Sequence, residues 1–339
     1  MKVVNKNTPF VLLILIALTS CDRLFITPDP ASSNLANFDL LWNTVDKKYS
    51  FFTYKNVDWN AARATYRPQA EKAKNDKELF QVMATMLNEL KDGHVNLASD
   101  FDVSRNWSWY QDYPANFNWD IIDRNYLGKD SQLAGPFVTD TLRKVGYMYY
   151  RSFQSPIEPK KIDLLFKKLN SLPLKGLIID IRNNGGGALV YADEFIQHLL
   201  KQNTLIGYTR YKSGPEHDAF TNYIKNELDP KGVTYTGRKI VLLTNRQVYS
   251  AANYFASALS QLAEVTIIGD QTGGGGGAPI SAELQAGWRV RFSATQMFNA
   301  DYQQLEGGVK PDIKVDILKS DEAIGKDTIL EEAIKFLNK

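Results

Sequence analysis

The chain has 339 residues, 44% of them hydrophobic and 23% charged, an ordinary globular composition with length for one large domain or one large and one small. Its 40 basic and 38 acidic residues leave a formal charge of +2, and that excess sits in the first six residues as Lys2 and Lys6. The remainder balances at zero, without the basic excess of a nucleic-acid footprint, and Cys21 is the only cysteine, which excludes disulfides and cysteine metal sites beyond it.

Residues 1–21 read as an export signal: two lysines, an apolar run over 10–18, then Leu18-Thr19-Ser20-Cys21. Nine apolar residues are too few to cross a bilayer of about 30 Å as a permanent helix. The lone Cys21 resembles the lipobox of bacterial lipoproteins, where the thiol is lipidated. That resemblance implies a lipid-anchored protein of the cell envelope, on the periplasmic or outer-surface side. Residues 22–33, with Pro28, Pro30 and Ser32-Ser33, read as its tether.

A helical subdomain is expected over 34–100. Leu35, Phe38, Leu41, Trp42, Val45 and Tyr49 recur at helical spacing. Asp58 is expected to cap a second helix that stops near Pro68, and Asp76 a third that ends before Lys91-Asp92-Gly93-His94. The core, 101–339, opens with an aromatic stretch (Trp107, Trp109, Tyr110, Tyr113, Phe117, Trp119, Tyr126), read as packing for the most part or as the wall of a groove over 107–126. Strands are then expected at 145–153, 176–181, 204–211, 239–244 and 265–268, and near 288–292 and 313–315. Helices are expected at 160–169, 192–200, 250–261 and 328–337. The alternation makes an α/β domain.

Three segments stand where chemistry could sit. Asp180 to Gly187 runs from a buried strand into a helix through three glycines, whose N–H groups could receive an anion. Ser250 stands at the start of a helix after a strand, as a nucleophile or as a simple N-cap. Gly273 to Gly277 is neither a P-loop, having no following Lys-Ser/Thr, nor a dinucleotide turn, since Pro279 and a strand follow. Ser250 is not in a Gly-x-Ser-x-Gly elbow, so an α/β-hydrolase is excluded.

Together with Leu90–Val95 and Glu306-Gly307-Gly308-Val309-Lys310-Pro311-Asp312, these segments resemble in order the motifs of C-terminal processing (tail-specific) serine peptidases, over about 35–320. The resemblance implies a ClpP/crotonase-like β-β-α superhelical core that hydrolyses extended peptides outside the cytoplasm, with no cofactor or metal. It implies Ser250 as nucleophile and an oxyanion hole from Ala251 and Gly185 or Gly186. Two departures stand out. The fifty residues after His94 are too few for the PDZ domain many members carry. Gly275 stands where a Ser-Lys dyad has its lysine, with Lys239 and Lys310 outside that loop. Of three histidines, His198 is expected on a helix surface and His217 in a polar loop. His94 is similar to the base of the PDZ-less tricorn-core branch, and Glu306 to the glutamate that orients it. Activity should then rise with pH through the His94 titration, near 6.5 unless burial shifts it. The alternatives are a non-catalytic peptide- or ligand-binding lipoprotein on the same fold and, less favoured, a crotonase-like thioester enzyme.

Overall fold

The computed structural model of the chain describes residues 33–129 and 131–339. The export segment, Cys21 and all of the tether but its last residue lie outside the described residues. Among the described residues no helix is long and apolar enough to cross a membrane.

The N-terminal helices Asn34–Lys48, Phe52–Lys55, Trp59–Lys72 and Asp76–Asn88 bury the expected apolar faces, among them Phe38, Leu41, Trp42 and Val45. Asp58 caps as expected, accepting the Ala61 N–H at 2.9 Å. The next cap is Asn75 rather than Asp76, with its side chain on the Glu78 N–H; such caps stabilise a helix by about 1 kcal/mol. The second long helix does not stop at Pro68 but runs to Lys72. Pro68 and Ala64 are both exposed, so water can satisfy the carbonyl that the proline ring deprives of its donor.

The expected boundary at residue 100 is crossed by a hairpin from far along the sequence. Asn96–Ala98 pairs antiparallel with Val103–Arg105 on one side and with Arg289–Ser293 on the other, and Arg289–Ser293 pairs with Pro279–Glu283. Leu97, Val290 and Phe292 alternate onto one face and, with Leu284 and Trp288, complete the core of the helical region.

The larger half is a seven-stranded sheet in the order Ile313–Lys314, Val265–Gly269, Ile240–Thr244, Leu177–Asp180, Val145–Tyr150, Phe137–Leu142 and Gln132–Ala134. The first five are parallel and the last two pairings antiparallel. Alternate residues go to opposite faces. Ile240 and Leu242 pack with the Pro159–Ser171, Leu189–Gln197 and Ala251–Leu259 helices, whereas Val241 and Leu243 pack with Thr328–Asn338. Buried on both faces, these strands are apolar throughout, as the continuous runs in the sequence require. A three-stranded sheet of Thr295–Phe298, Thr204–Tyr211 and Ile224–Leu228 flanks the core.

Candidate active site

Ser250 joins the Ile240–Thr244 strand to the Ala251–Leu259 helix at φ 58° and ψ −122°. A non-glycine residue there is strained by about 1–3 kcal/mol. The turn is held by the Ser250 N–H on the Gly274 carbonyl at 2.9 Å and the Tyr254 N–H on the Ser250 carbonyl at 3.0 Å. The hydroxyl does not cap the helix. It lies 3.0 Å from Nε2 of His94, a residue 156 positions away and only 2% exposed. The strained strand-to-helix serine turn is therefore present without the glycines that usually mark it.

His94 is fixed by a tight turn. Its N–H donates to Asp92 Oδ1 at 2.7 Å, and the Val95 N–H donates to the Asp92 carbonyl. Nδ1 lies 3.4 Å from Ser293 Oγ, and that oxygen lies 3.4 Å from Asp92 Oδ2. Asp92 also accepts from the hydroxyls of Tyr49 at 3.0 Å and Tyr249 at 3.3 Å. Burial pulls the His94 pKa down to about 4; the cations Arg291, Arg105 and Lys55 pull the same way, against the Asp92 carboxylate. At neutral pH the imidazole is an uncharged base.

Glu306 does not orient His94. Its Oε1 binds Lys55 Nζ at 2.8 Å and its Oε2 accepts the Gly276 N–H at 2.9 Å. Burial and the Asp92 carboxylate push its pKa up to about 7, against the pull of Lys55 and Gly276. Lys55 is shifted upward, because Glu306 and Asp92 outweigh the cost of its burial. The expected orienting role fails because the Phe52–Lys55 helix delivers an ammonium that takes the carboxylate first.

The glycine turn lies against the serine turn. A Cβ on Gly186, whose φ is +93°, would stand 2.9 Å from both Ser250 Cβ and the Ala251 nitrogen. Only glycine permits that approach. The Ala251 N–H and the Gly185 N–H have no acceptor among the described residues, whereas the Gly186 N–H donates to Asn184 Oδ1 at 3.0 Å. Of the two glycines, Gly185 keeps the free donor. At Gly275, a Cβ would meet the Tyr249 ring at 2.5 Å and φ is +79°, so this loop has no place for a dyad lysine. Lys239 lies over the Phe336 ring instead. His198 is buried rather than on the surface, with Nδ1 on the Glu194 carbonyl and Nε2 3.3 Å from Asp163. His217 stacks on Phe52 and pairs with Asp46. No cluster of three or more metal-ligating side chains occurs among the described residues. The aromatic stretch divides: Trp109 stacks on Tyr249, beside the serine, while Phe117 and Trp119 stack on Tyr149 across the sheet.

With this geometry in view, residues 144–315 match the profile of Peptidase family S41, over just half the chain. The chain belongs to peptidase family S41. Residues 30–88 match the Tricorn protease C1 domain. A solved structure of a candidate peptidase from Parabacteroides merdae is 44% identical, covers 90% of this chain and 97% of that one, and superposes with a TM-score of 0.86. The carboxy-terminal processing protease CtpA of Bacillus subtilis is 27% identical over 174 residues, 51% of this chain and 35% of that protein. The chain thus spans about a third of the length of that relative. Mature CPAF, 13% identical over 90% of this chain and 96% of its own, shares the fold with a TM-score of 0.68.

Of the residues expected at the site in this S41 chain, the fold brings Ser250, His94, Ala251 and Gly186 together, with Gly185 next in the same turn, and puts Glu306 on Lys55 and Gly276 instead of His94. The sequence reading missed Asp92, Ser293 and Lys55. Asp92, two residues before a motif histidine, carried a signal as a turn-forming acid. Ser293 and Lys55 carried none, since only the fold brings them to the site.

Proposed function

We propose that the chain is a serine peptidase hydrolysing extended peptides, with Ser250 as nucleophile and His94 as general base. The single observation that carries this is the 3.0 Å contact between Ser250 Oγ and His94 Nε2, at a strained serine that does not cap its helix. Nε2 takes the hydroxyl proton as Oγ attacks the peptide carbonyl, so the other imidazole proton must sit on Nδ1. That N–H faces Ser293 Oγ, whose hydroxyl can in turn donate to Asp92. The imidazolium charge is then spread over a hydroxyl and a buried carboxylate rather than met by Glu306. The oxyanion is received by the N–H groups of Ala251 and Gly185, each worth roughly 10²–10³ in turnover. His94 returns its proton to the leaving amine, and water releases the acyl group by the same steps.

The same proposal places the enzyme outside the cytoplasm, anchored through a lipidated Cys21, with peptides or proteins as substrates and no nucleic acid or cofactor. Its support is the order of charge, apolar run and cysteine in the first twenty-one residues. Fatty-acid labelling of the wild type that persists in Cys21→Ala would remove the anchor from this account.

Hydrolysis of a quenched fluorescent peptide tests the chemistry. Ser250→Ala and His94→Ala should each lower kcat by roughly four orders of magnitude or more, and the double variant should be no slower than either. Near-wild-type turnover in His94→Ala would overturn the assignment.

A further inference from the structure

A half-buried carboxylate near Ser250 is left without a cation. The helix Leu189–Gln197 leaves the glycine turn, and Asp193 lies one turn along it from Leu189, about 6 Å further on. The helix Ala251–Leu259 leaves the serine turn in the same way and carries Tyr254 one turn beyond Ser250. The two meet where the Tyr254 hydroxyl donates to Asp193 Oδ1 at 2.7 Å. Burial and the Asp193 charge push the Tyr254 pKa up, so the phenol stays a donor. Burial pushes the Asp193 carboxyl up as well, and only the Tyr254 hydrogen bond works against it. Its second oxygen has no partner among the described residues, and no cation there answers its charge. Both side chains line a cavity of about 360 Å³, near the small end of the range for ligand pockets. Leu189, Ala278 and Met297 give the cavity an apolar wall, and the strands Thr204–Tyr211 and Ile224–Leu228 supply most of the rest. Its lysine, Lys225, is exposed and pairs with Glu227 at 3.6 Å instead of with Asp193.

We propose that this cavity takes the side chain of the residue before the cut, and that Asp193 selects a cationic one, lysine or arginine. The inference rests on the peptidase reading, because the placement follows from the chemistry. The carbonyl that Ser250 attacks belongs to the residue before the cut, and its oxygen goes to the N–H groups of Ala251 and Gly185. Tyr254 and Leu189 stand on the two helices that begin at or just after those donors. None of the lining residues is a hydrogen-bond or ring partner of His94, which must face the leaving amine. A lysine or arginine stem can lie along Leu189, Ala278 and Met297 while its charged head reaches the carboxylate one helical turn deeper. The Tyr254 hydrogen bond occupies Oδ1 and leaves Oδ2 for the cation. An uncharged side chain of equal length fills the same space but leaves the carboxylate unanswered, and an acidic one adds a like charge.

Three quenched fluorescent peptides that differ only in the residue before the scissile bond test this. One carries lysine there, one norleucine, which has the same stem without the charge, and one glutamate. The lysine peptide should be cleaved with a kcat/KM at least about tenfold above the norleucine peptide, and the glutamate peptide should be the poorest. Asp193→Asn, which keeps an acceptor for Tyr254, should bring lysine down to the level of norleucine; Asp193→Ser serves if that variant does not fold. Glu227→Gln, at the other carboxylate of the cavity, should keep the preference. Equal kcat/KM for lysine and norleucine, or a preference that disappears in Glu227→Gln and survives at Asp193, overturns the assignment while leaving the peptidase intact. If none of the peptides is cleaved, the peptidase reading fails, and titration calorimetry of the same peptides with Ser250→Ala still decides the cavity. Tighter binding of the lysine peptide that is lost when Asp193→Asn is added upholds it, and equal binding or none overturns it.

Discussion

Two buried polar clusters sit on either side of the glycine turn, and they are built by opposite rules. Around Arg182 every charge is answered. The guanidinium binds Asp180 at 2.6 and 2.9 Å, Asp327 at 2.8 and 3.1 Å and the Asn116 carbonyl at 3.3 Å, with all three charged side chains essentially inaccessible. Asp180 and Asp327 hold the Arg182 pKa above its usual range although burial opposes them. Around His94 the contacts to Ser293 are long, three cations face a neutral ring, and the pKa falls to about 4. The first cluster fixes a backbone, the stretch that carries Gly185 and Gly186. The second leaves a buried imidazole uncharged, with only a long contact at its Nδ1. Burial alone does not tell structure from chemistry; the completeness of pairing does.

Breaking each cluster should therefore fail in a different way. Arg182→Met leaves Asp180 and Asp327 buried without their cation, which should cost about 3–5 kcal/mol in denaturant unfolding. A variant within about 1 kcal/mol of wild type would show that the pairs are not what holds the turn. Asp92→Asn should cost less stability but lower kcat roughly 10²-fold or more, because the carboxylate behind Ser293 no longer meets the imidazolium charge. The same change at Glu306, to Gln, should lower kcat less than Asp92→Asn does; the reverse order would restore Glu306 as the orienting acid. A separate effect is in the pH response. Since His94 is neutral above about pH 4, kcat/KM should lose its acid limb near 4 rather than near 6.5. Between those values the unfolded protein binds more protons than the folded one, so stability rises with pH there and levels off outside that window. The His94 contribution is roughly 3 kcal/mol, measurable as the difference in pH slope between wild type and His94→Gln.

The parallel strands were legible because residues buried on both faces must be apolar without interruption, as in Leu177–Asp180 and Ile240–Thr244. The short antiparallel strands Pro279–Glu283 and Ile224–Leu228 were not, since their half-exposed, mixed composition is also that of a loop. Within the site, Ser250 and His94 stood out because each belongs to a local pattern. Lys55 and Ser293 are ordinary residues locally and acquire their roles through contacts spanning 251 and 199 positions. The same holds for Arg182, whose partner Asp327 is 145 positions away. Period and capping speak of neighbours in the sequence, and pairing across a fold is outside their reach.

The hairpin that closes the helical core also sets when the enzyme can exist. Leu284, Trp288, Val290 and Phe292 must meet Leu97 and the helices before it, and the same hairpin carries the hydroxyl that faces His94. While the polypeptide is being made, at about 5–20 residues per second, the helices wait on the order of ten to forty seconds for that stretch to emerge. Through that interval His94 has no Ser293 behind it and, for most of it, no Ser250 in front. On the proposed mechanism a nascent polypeptide cannot cut itself or its neighbours, and a fragment ending before residue 279 should be both inert and open to digestion in its helical half.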